Sequence, residues 1–117
     1  MKQENCKQRV KKAFKSRMED IRRLVNYPDD EKVKEELGSI DDYGLSIDYV
    51  EAGTFKDQKE GYKRYQISWG GPSEEFRIYH TGSIEFWFLD WYDGASIPVT
   101  GEDAKIILNL TDWVPFE

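Results

Sequence analysis

Asp90-Trp91-Tyr92-Asp93 sets two carboxylates around two aromatics, directly before Gly94, and a pair of acids is the minimum equipment for general acid–base cleavage of a glycosidic bond. Such a pair needs a cleft that encloses a sugar, and a chain of 117 residues has room for one small core and little beyond it. The other catalytic patterns are missing from the sequence: it has no nucleophile elbow, phosphate-binding glycine loop, dinucleotide fingerprint or zinc spacing. Asp90 to Gly94 does not follow the calcium-loop spacing either. His80 is the only histidine and Cys6 the only cysteine, which removes most His-based sites and an internal disulfide and argues against metal clusters. The residues predict a protein that is not an enzyme and holds neither cofactor nor metal.

What remains is the chemistry of binding. In the segment 84–91, Ile84, Phe86 and Phe88 share one face of a strand and Trp87, Leu89 and Trp91 the other. A strand with one wet side alternates apolar and polar residues. Here both sides are apolar, so each is either covered within the domain, by helices on one side and loops or the C-terminal tail on the other, or offered to a partner. Acids cluster around these aromatics: Glu74, Glu75, Glu85, Asp90 and Asp93. Acids two apart on a strand lie ~6.6 Å apart on one face, close to the phosphate spacing of a nucleic-acid strand, although acidic surfaces commonly serve solubility alone. Trp87, Trp91 and Tyr92 are the candidate hot spots beside them, because Trp and Tyr are enriched where interfaces concentrate their energy.

Charge is unevenly spread. Residues 1–25 carry nine Lys/Arg against three acids, whereas residues 26–117 carry eight against twenty. The basic segment either packs on the acidic body and partly neutralises it, or touches nucleic acid through Lys7, Lys11, Lys12, Lys15 and Arg22. Its apolar positions, Cys6, Val10, Phe14, Met18, Ile21 and Val25, recur at helical spacing, with Ala13 and Leu24 flanking them. A long amphipathic helix is predicted, stopping at Asn26-Tyr27-Pro28. Cys6 on that stripe reads as a small core residue.

A second, short helix is predicted from Pro28-Asp29-Asp30-Glu31 to Gly38, with proline in its first turn and acids at its positive end. From there the period drops to 2. Leu45, Ile47 and Tyr49 alternate with polar residues. Tyr65, Ile67 and Trp69 share a face in the next strand, and Phe76, Ile78 and His80 in the one after it. Gly53 to Gly61 reads as a solvent loop, and His80-Thr81-Gly82-Ser83 as a tight turn. Thr100-Gly101-Glu102-Asp103 resembles a capping box that opens a last helix with Ala104, Ile107 and Leu108 on one face. The tail Trp113-Val114-Pro115-Phe116 must then dock or expose its aromatics. The predicted class is α+β in one domain: helices over 1–38, a four- to five-stranded antiparallel sheet over 39–99, and a C-terminal helix and tail over 100–117. Aromatics at 15% are too many for a disordered chain. No apolar run approaches the ~20 residues of a membrane span, and the N-terminus lacks a signal-peptide core, so a cytoplasmic protein that does not enter a membrane is expected.

Asp42-Tyr43-Gly44-Leu45-Ser46, Gly53-Thr54-Phe55, the stretch Tyr65 to Arg77 with Ser68-Trp69-Gly70-Gly71-Pro72-Ser73 at its centre, and Ile84 to Gly94 together resemble a group of small proteins carried by bacterial phages and plasmids. The resemblance spans roughly residues 41–110 and leaves the basic helix outside it. It implies an antagonist of host defence, of the anti-CRISPR or antirestriction kind. Combined with the residues, it points to a protein that inhibits a CRISPR or restriction nuclease, with the acidic strands in the nuclease's basic channel. Two alternatives stand beside it: a nucleic-acid-binding regulatory protein that uses the basic helix, and a homodimer whose sheet faces pair.

Overall fold

Cys6 and Leu24 are eighteen residues apart, which is five turns at 3.6 residues per turn, so both project from one line along a helix. The computed structural model, which describes residues 5–70, 72–90 and 93–116, realises this helix as α1, Cys6–Asn26, with Cys6, Val10, Met18, Ile21 and Leu24 buried. Val25, expected on the stripe, is exposed instead, because one further residue turns it about 100° away from Leu24. Asn5 starts the helix with a full capping box: its side chain accepts the Gln8 amide, and the Gln8 side chain accepts the Asn5 amide. Asn5→Ala is expected to lower stability by about 1 kcal/mol in urea titration.

Two short helices follow, α2 at Glu31–Leu37 and α3 at Ile40–Tyr43. Asp30 caps α2 through the Lys32 and Val33 amides, so Pro28 stands before the helix and not in its first turn as expected. The single turn α3 was not anticipated from the sequence. Ser39 initiates it, exchanging hydrogen bonds with Asp42.

Five strands then run as an antiparallel meander in chain order: β1 Ser46–Val50, β2 Tyr62–Ser68, β3 Ser73–Tyr79, β4 Ile84–Asp90 and β5 Asp93–Val99. This is the α+β architecture the pattern predicted, with the full five strands. The tight turn between β3 and β4 passes through Gly82 at φ +88°, which a residue without a Cβ adopts freely. The last helix, α4, is Gly101–Thr111. The expected capping box does not form there, since Thr100 makes no side-chain cap bond and Asp103 is drawn to Arg22. Leu108 is partly exposed, and Thr111 is buried in its place, closing on the Ile107 carbonyl.

The core lies between the helices and one face of the sheet. Tyr65, Ile67, Phe76, Ile78, Ile84, Phe86, Phe88 and Val99 meet Cys6, Val10, Met18, Ile21 and Ile107, with α1 across β4 and β5. The register pairs Phe76 with Phe86, and their rings sit 4.9 Å apart beside Phe14. The tail divides as its composition allowed. Phe116 packs on His80 at 4.2 Å and under the Lys63 ammonium, while Trp113 stays exposed.

Between Gln66 and Ser68 the β2–β3 register shifts at a bulge, which reverses the alternation beyond it. Gln66 braces this point by donating to the Ser68 and Glu74 carbonyls. The expected face-sharing of Tyr65, Ile67 and Trp69 therefore fails at its last member: Tyr65 and Ile67 are core, whereas Trp69 is 72% exposed.

Candidate binding site

Alternation in each strand assigns the other sheet face to Asp48, Tyr62, Arg64, Glu75, Arg77, Tyr79, Glu85, Trp87 and Leu89, and the register sets Gln66 opposite Glu75, Arg64 opposite Arg77 and Glu75 opposite Trp87. Contacts of α1 and α4 fall on the core face, and α2 and α3 lie along α1. The tail was expected to help cover the second face, but Phe116 is on the helix side. The loop 51–61 overhangs the open face.

Its floor is organised by charge and aromatic stacking. The Arg77 guanidinium lies over the Trp87 ring at 4.0 Å and the Tyr62 ring at 4.8 Å, and its Nε donates to buried Glu75 at 2.8 Å. Cation–π contacts of this kind gain strength where water is excluded. One oxygen of Glu85 accepts from both the Tyr79 hydroxyl, at 2.6 Å, and the Trp87 indole N–H, at 3.1 Å. Burial, then the Glu85 bond, drive the Tyr79 hydroxyl well above the ordinary tyrosine range. Arg64 holds Asp48 with two parallel bonds. The side chains of this face are thus fixed in place before any partner arrives.

Two hollows open on it, of about 420 and 270 Å³, sharing Phe55, Tyr62 and Arg77. Trp87, Tyr79 and Lys59 lie toward one end; Trp69, Ser73 and Leu89 lie toward the other. The bulge that turns Trp69 out of the core is what brings it here. The overhanging loop is braced by Gln58, whose side chain accepts the Phe55 amide and donates to the Glu60 carbonyl. Gly61 ends the loop tightly: a Cβ there would stand 2.0 Å from the Tyr49 hydroxyl.

The acids singled out from sequence do not form one row. Glu74 faces the helices, where Arg17 donates to both its oxygens and Ser68 to one. Asp90 pairs with Arg9. Asp93 accepts the Cys6 amide at the start of α1, and bonding to the Cys6 thiol and amide and from the Gly94 amide holds its carboxyl below the ordinary range. Glu75 and Glu85 lie on the open face, engaged as described. Neighbouring positions on a strand alternate sides, and each of these acids has a partner within the chain. Trp87 is on the open face; Trp91 and Tyr92 lie outside the described residues.

The basic helix is divided likewise. Its arginines pair within the chain, Arg9 with Asp90, Arg17 with Glu74, Arg22 with Asp103 and Arg23 with Glu36. Lys7, Lys11, Lys12 and Lys15 are exposed. Arg22, proposed with them as a phosphate contact, is taken up by α4. Phe55, Tyr62, Arg77 and Trp69 were not among the expected site residues. Tyr62 alternating with Arg64 on β2, and Arg77 with Tyr79 on β3, was the available signal for Tyr62 and Arg77.

Among the described residues, no group of His, Cys, Asp and Glu could hold a metal ion, and no helix is long and apolar enough to cross a membrane. Comparison with protein families, with curated proteins and with solved structures finds no match.

Proposed function

We propose that the chain is a non-enzymatic binding protein that recognises a partner protein through the open face of its sheet, and that the partner is a nucleic-acid-handling defence nuclease, as the resemblance implies. The observation that carries the binding reading is a sheet with its helices on one side and Trp69, Trp87, Leu89 and Phe55 around a fixed arginine on the other. Aromatic and arginine side chains are the ones that dominate interface energies. The acids contribute by holding Arg77, Arg64 and the Trp87 indole in position, and recognition rests on the surface they organise.

The exposed run Lys7, Lys11 and Lys15, one helical turn apart, favours a second reading in which α1 tracks phosphates. One experiment separates the two. The tagged chain is mixed with guide-loaded CRISPR nuclease and with restriction nuclease, before and after digestion of nucleic acid. Capture that survives digestion, and that Trp69→Ala weakens at least about tenfold, is the expected result. Capture that vanishes on digestion, and falls when the three lysines become glutamine, would transfer the function to α1.

A further inference from the structure

A further hollow, of about 240 Å³, opens on the helix side of the sheet, between α3, the start of β1 and the end of α4. Ile40, Ile47 and Leu110 supply apolar wall, and Asp41 is the only charged residue on its lining. β1 is an outer strand, so a partner's chain meets no further strand there. Three groups around the hollow are equipped and unused. Tyr65 is 4% exposed, and among the described residues its hydroxyl takes no hydrogen-bond partner. It is not one of the sealed, unpartnered atoms, which are the Tyr62 hydroxyl and the Gln66 Oε1, so the hollow gives access to it. Gly44 leaves it that room: a Cβ there would stand 2.3 Å from the Tyr65 ring and 3.1 Å from its hydroxyl oxygen. Asp41 is exposed, and among the described residues no cation pairs with it. Trp113 is exposed on the rim, yet its ring is held, because the indole N–H donates to the Leu110 carbonyl at 3.1 Å. Burial, and then the Asp41 charge, raise the Tyr65 hydroxyl above the ordinary tyrosine value, so it stays neutral and its lone pairs can accept.

A free carboxylate, a neutral hydroxyl and an exposed indole are together complementary to a planar cation, with two acceptors for its N–H groups and a π face for its charge. An anion would meet Asp41, and a purely apolar group would desolvate the hydroxyl and the carboxylate without pairing either. The volume lies below the roughly 300–1,000 Å³ of a drug-sized or cofactor site and suits a single side chain. The acidic balance of residues 26–117, eight Lys/Arg against twenty acids, draws cations toward this body. We infer that the hollow is a guanidinium pocket for an arginine side chain of a partner protein, the cation stacking on Trp113 and donating to Asp41 and the Tyr65 hydroxyl while its stem lies along Ile47 and Leu110. Lysine is the weaker ligand, since an ammonium is compact, strongly hydrated and has no flat fork. The pocket is on the opposite side of the sheet from the open face and stands apart from the interface proposed there.

The test uses the full chain, with N-acetylarginine amide titrated while the indole N–H resonances are followed by NMR. The Trp113 signal, identified as the one missing from Trp113→Phe, is expected to shift with a millimolar Kd that weakens as salt is added. The citrulline analogue has the same shape without the charge and should bind at least about fivefold more weakly. The lysine analogue should fall between the two. Asp41→Asn, at an exposed position, should weaken the arginine probe about fivefold with the sheet resonances in place. Tyr65→Phe keeps the buried ring and should weaken it about fivefold as well. No shift of the Trp113 signal, equal binding of the citrulline analogue, or wild-type affinity in Asp41→Asn would each overturn the pocket. A shift confined to the Trp69 and Trp87 signals would overturn it too, by moving the cation to the open face. Agmatine carries the same head without a peptide backbone; if it bound more than about tenfold tighter than the amide, the arginine assignment would fall and the pocket would belong to a free small molecule.

Discussion

Replacing Phe86 by alanine is expected to cost about 3–5 kcal/mol, a large part of the 5–15 kcal/mol typical of a domain. Phe86 is fully buried at the middle of β4, 5.6 Å from Phe14 and 4.9 Å from Phe76. Removing its ring deletes one of the contacts that seat α1 on the sheet. The neighbours are held by backbone pairing on both sides, so they cannot collapse to fill the gap, which places the cost high in the range. Urea titration should show a much lower midpoint with an unchanged slope. Phe55→Ala, at a half-exposed loop position, is the contrast and should change stability little.

Arg17→Met is expected to cost about 3–5 kcal/mol at neutral pH, and the loss should depend on pH in a defined direction. Arg17 reaches from α1 to Glu74 with bonds of 3.0 and 2.7 Å and also donates to the Tyr43 hydroxyl. Burial alone would raise the pKa of Glu74, but the bonds from Arg17 and Ser68 outweigh it and hold the carboxyl below its ordinary value. A group depressed in the folded state contributes stability that is present above its unfolded pKa and lost as pH falls through the folded one. Without Arg17 only the Ser68 bond opposes burial, so Glu74 titrates higher than in the wild type and the variant loses less stability as pH falls. The gap between wild type and variant should be widest near pH 7 and close below about pH 4, near the unfolded glutamate value. Adding Glu74→Gln should recover much of the loss at neutral pH, since no buried charge is then left alone. A gap that is the same at every pH would show that Arg17 acts through packing of its stem.

The helix from Cys6 to Leu24 and the alternation of β1 to β4 are legible in the chain because both are short-range periods. Each residue's side is set by its neighbours through 3.6 or 2 residues per repeat. Even so, the stripe's last member was misplaced by one residue, since Leu24 and Val25 differ only in how they compare with Cys6 five turns away. The aromatic, two-sided character of residues 84–90 was likewise readable, and it flagged the open face before the helices could be placed.

Partner choice was not readable in this way. The charge split of residues 1–25 against the rest is visible by counting, but whether Arg17 meets Glu74 or solvent depends on where α1 crosses the sheet. The two residues are 57 apart in the chain, and no local rule links them. A one-residue bulge between Gln66 and Ser68 sends Trp69 to the open face, because the sheet repeats every two residues and a single insertion inverts everything beyond it. The same holds for the candidate site. Its residue types are encoded strand by strand, whereas the stacking of Arg77 on Tyr62 and Trp87 exists only once three strands are paired in register and the long helix has gone to the opposite side.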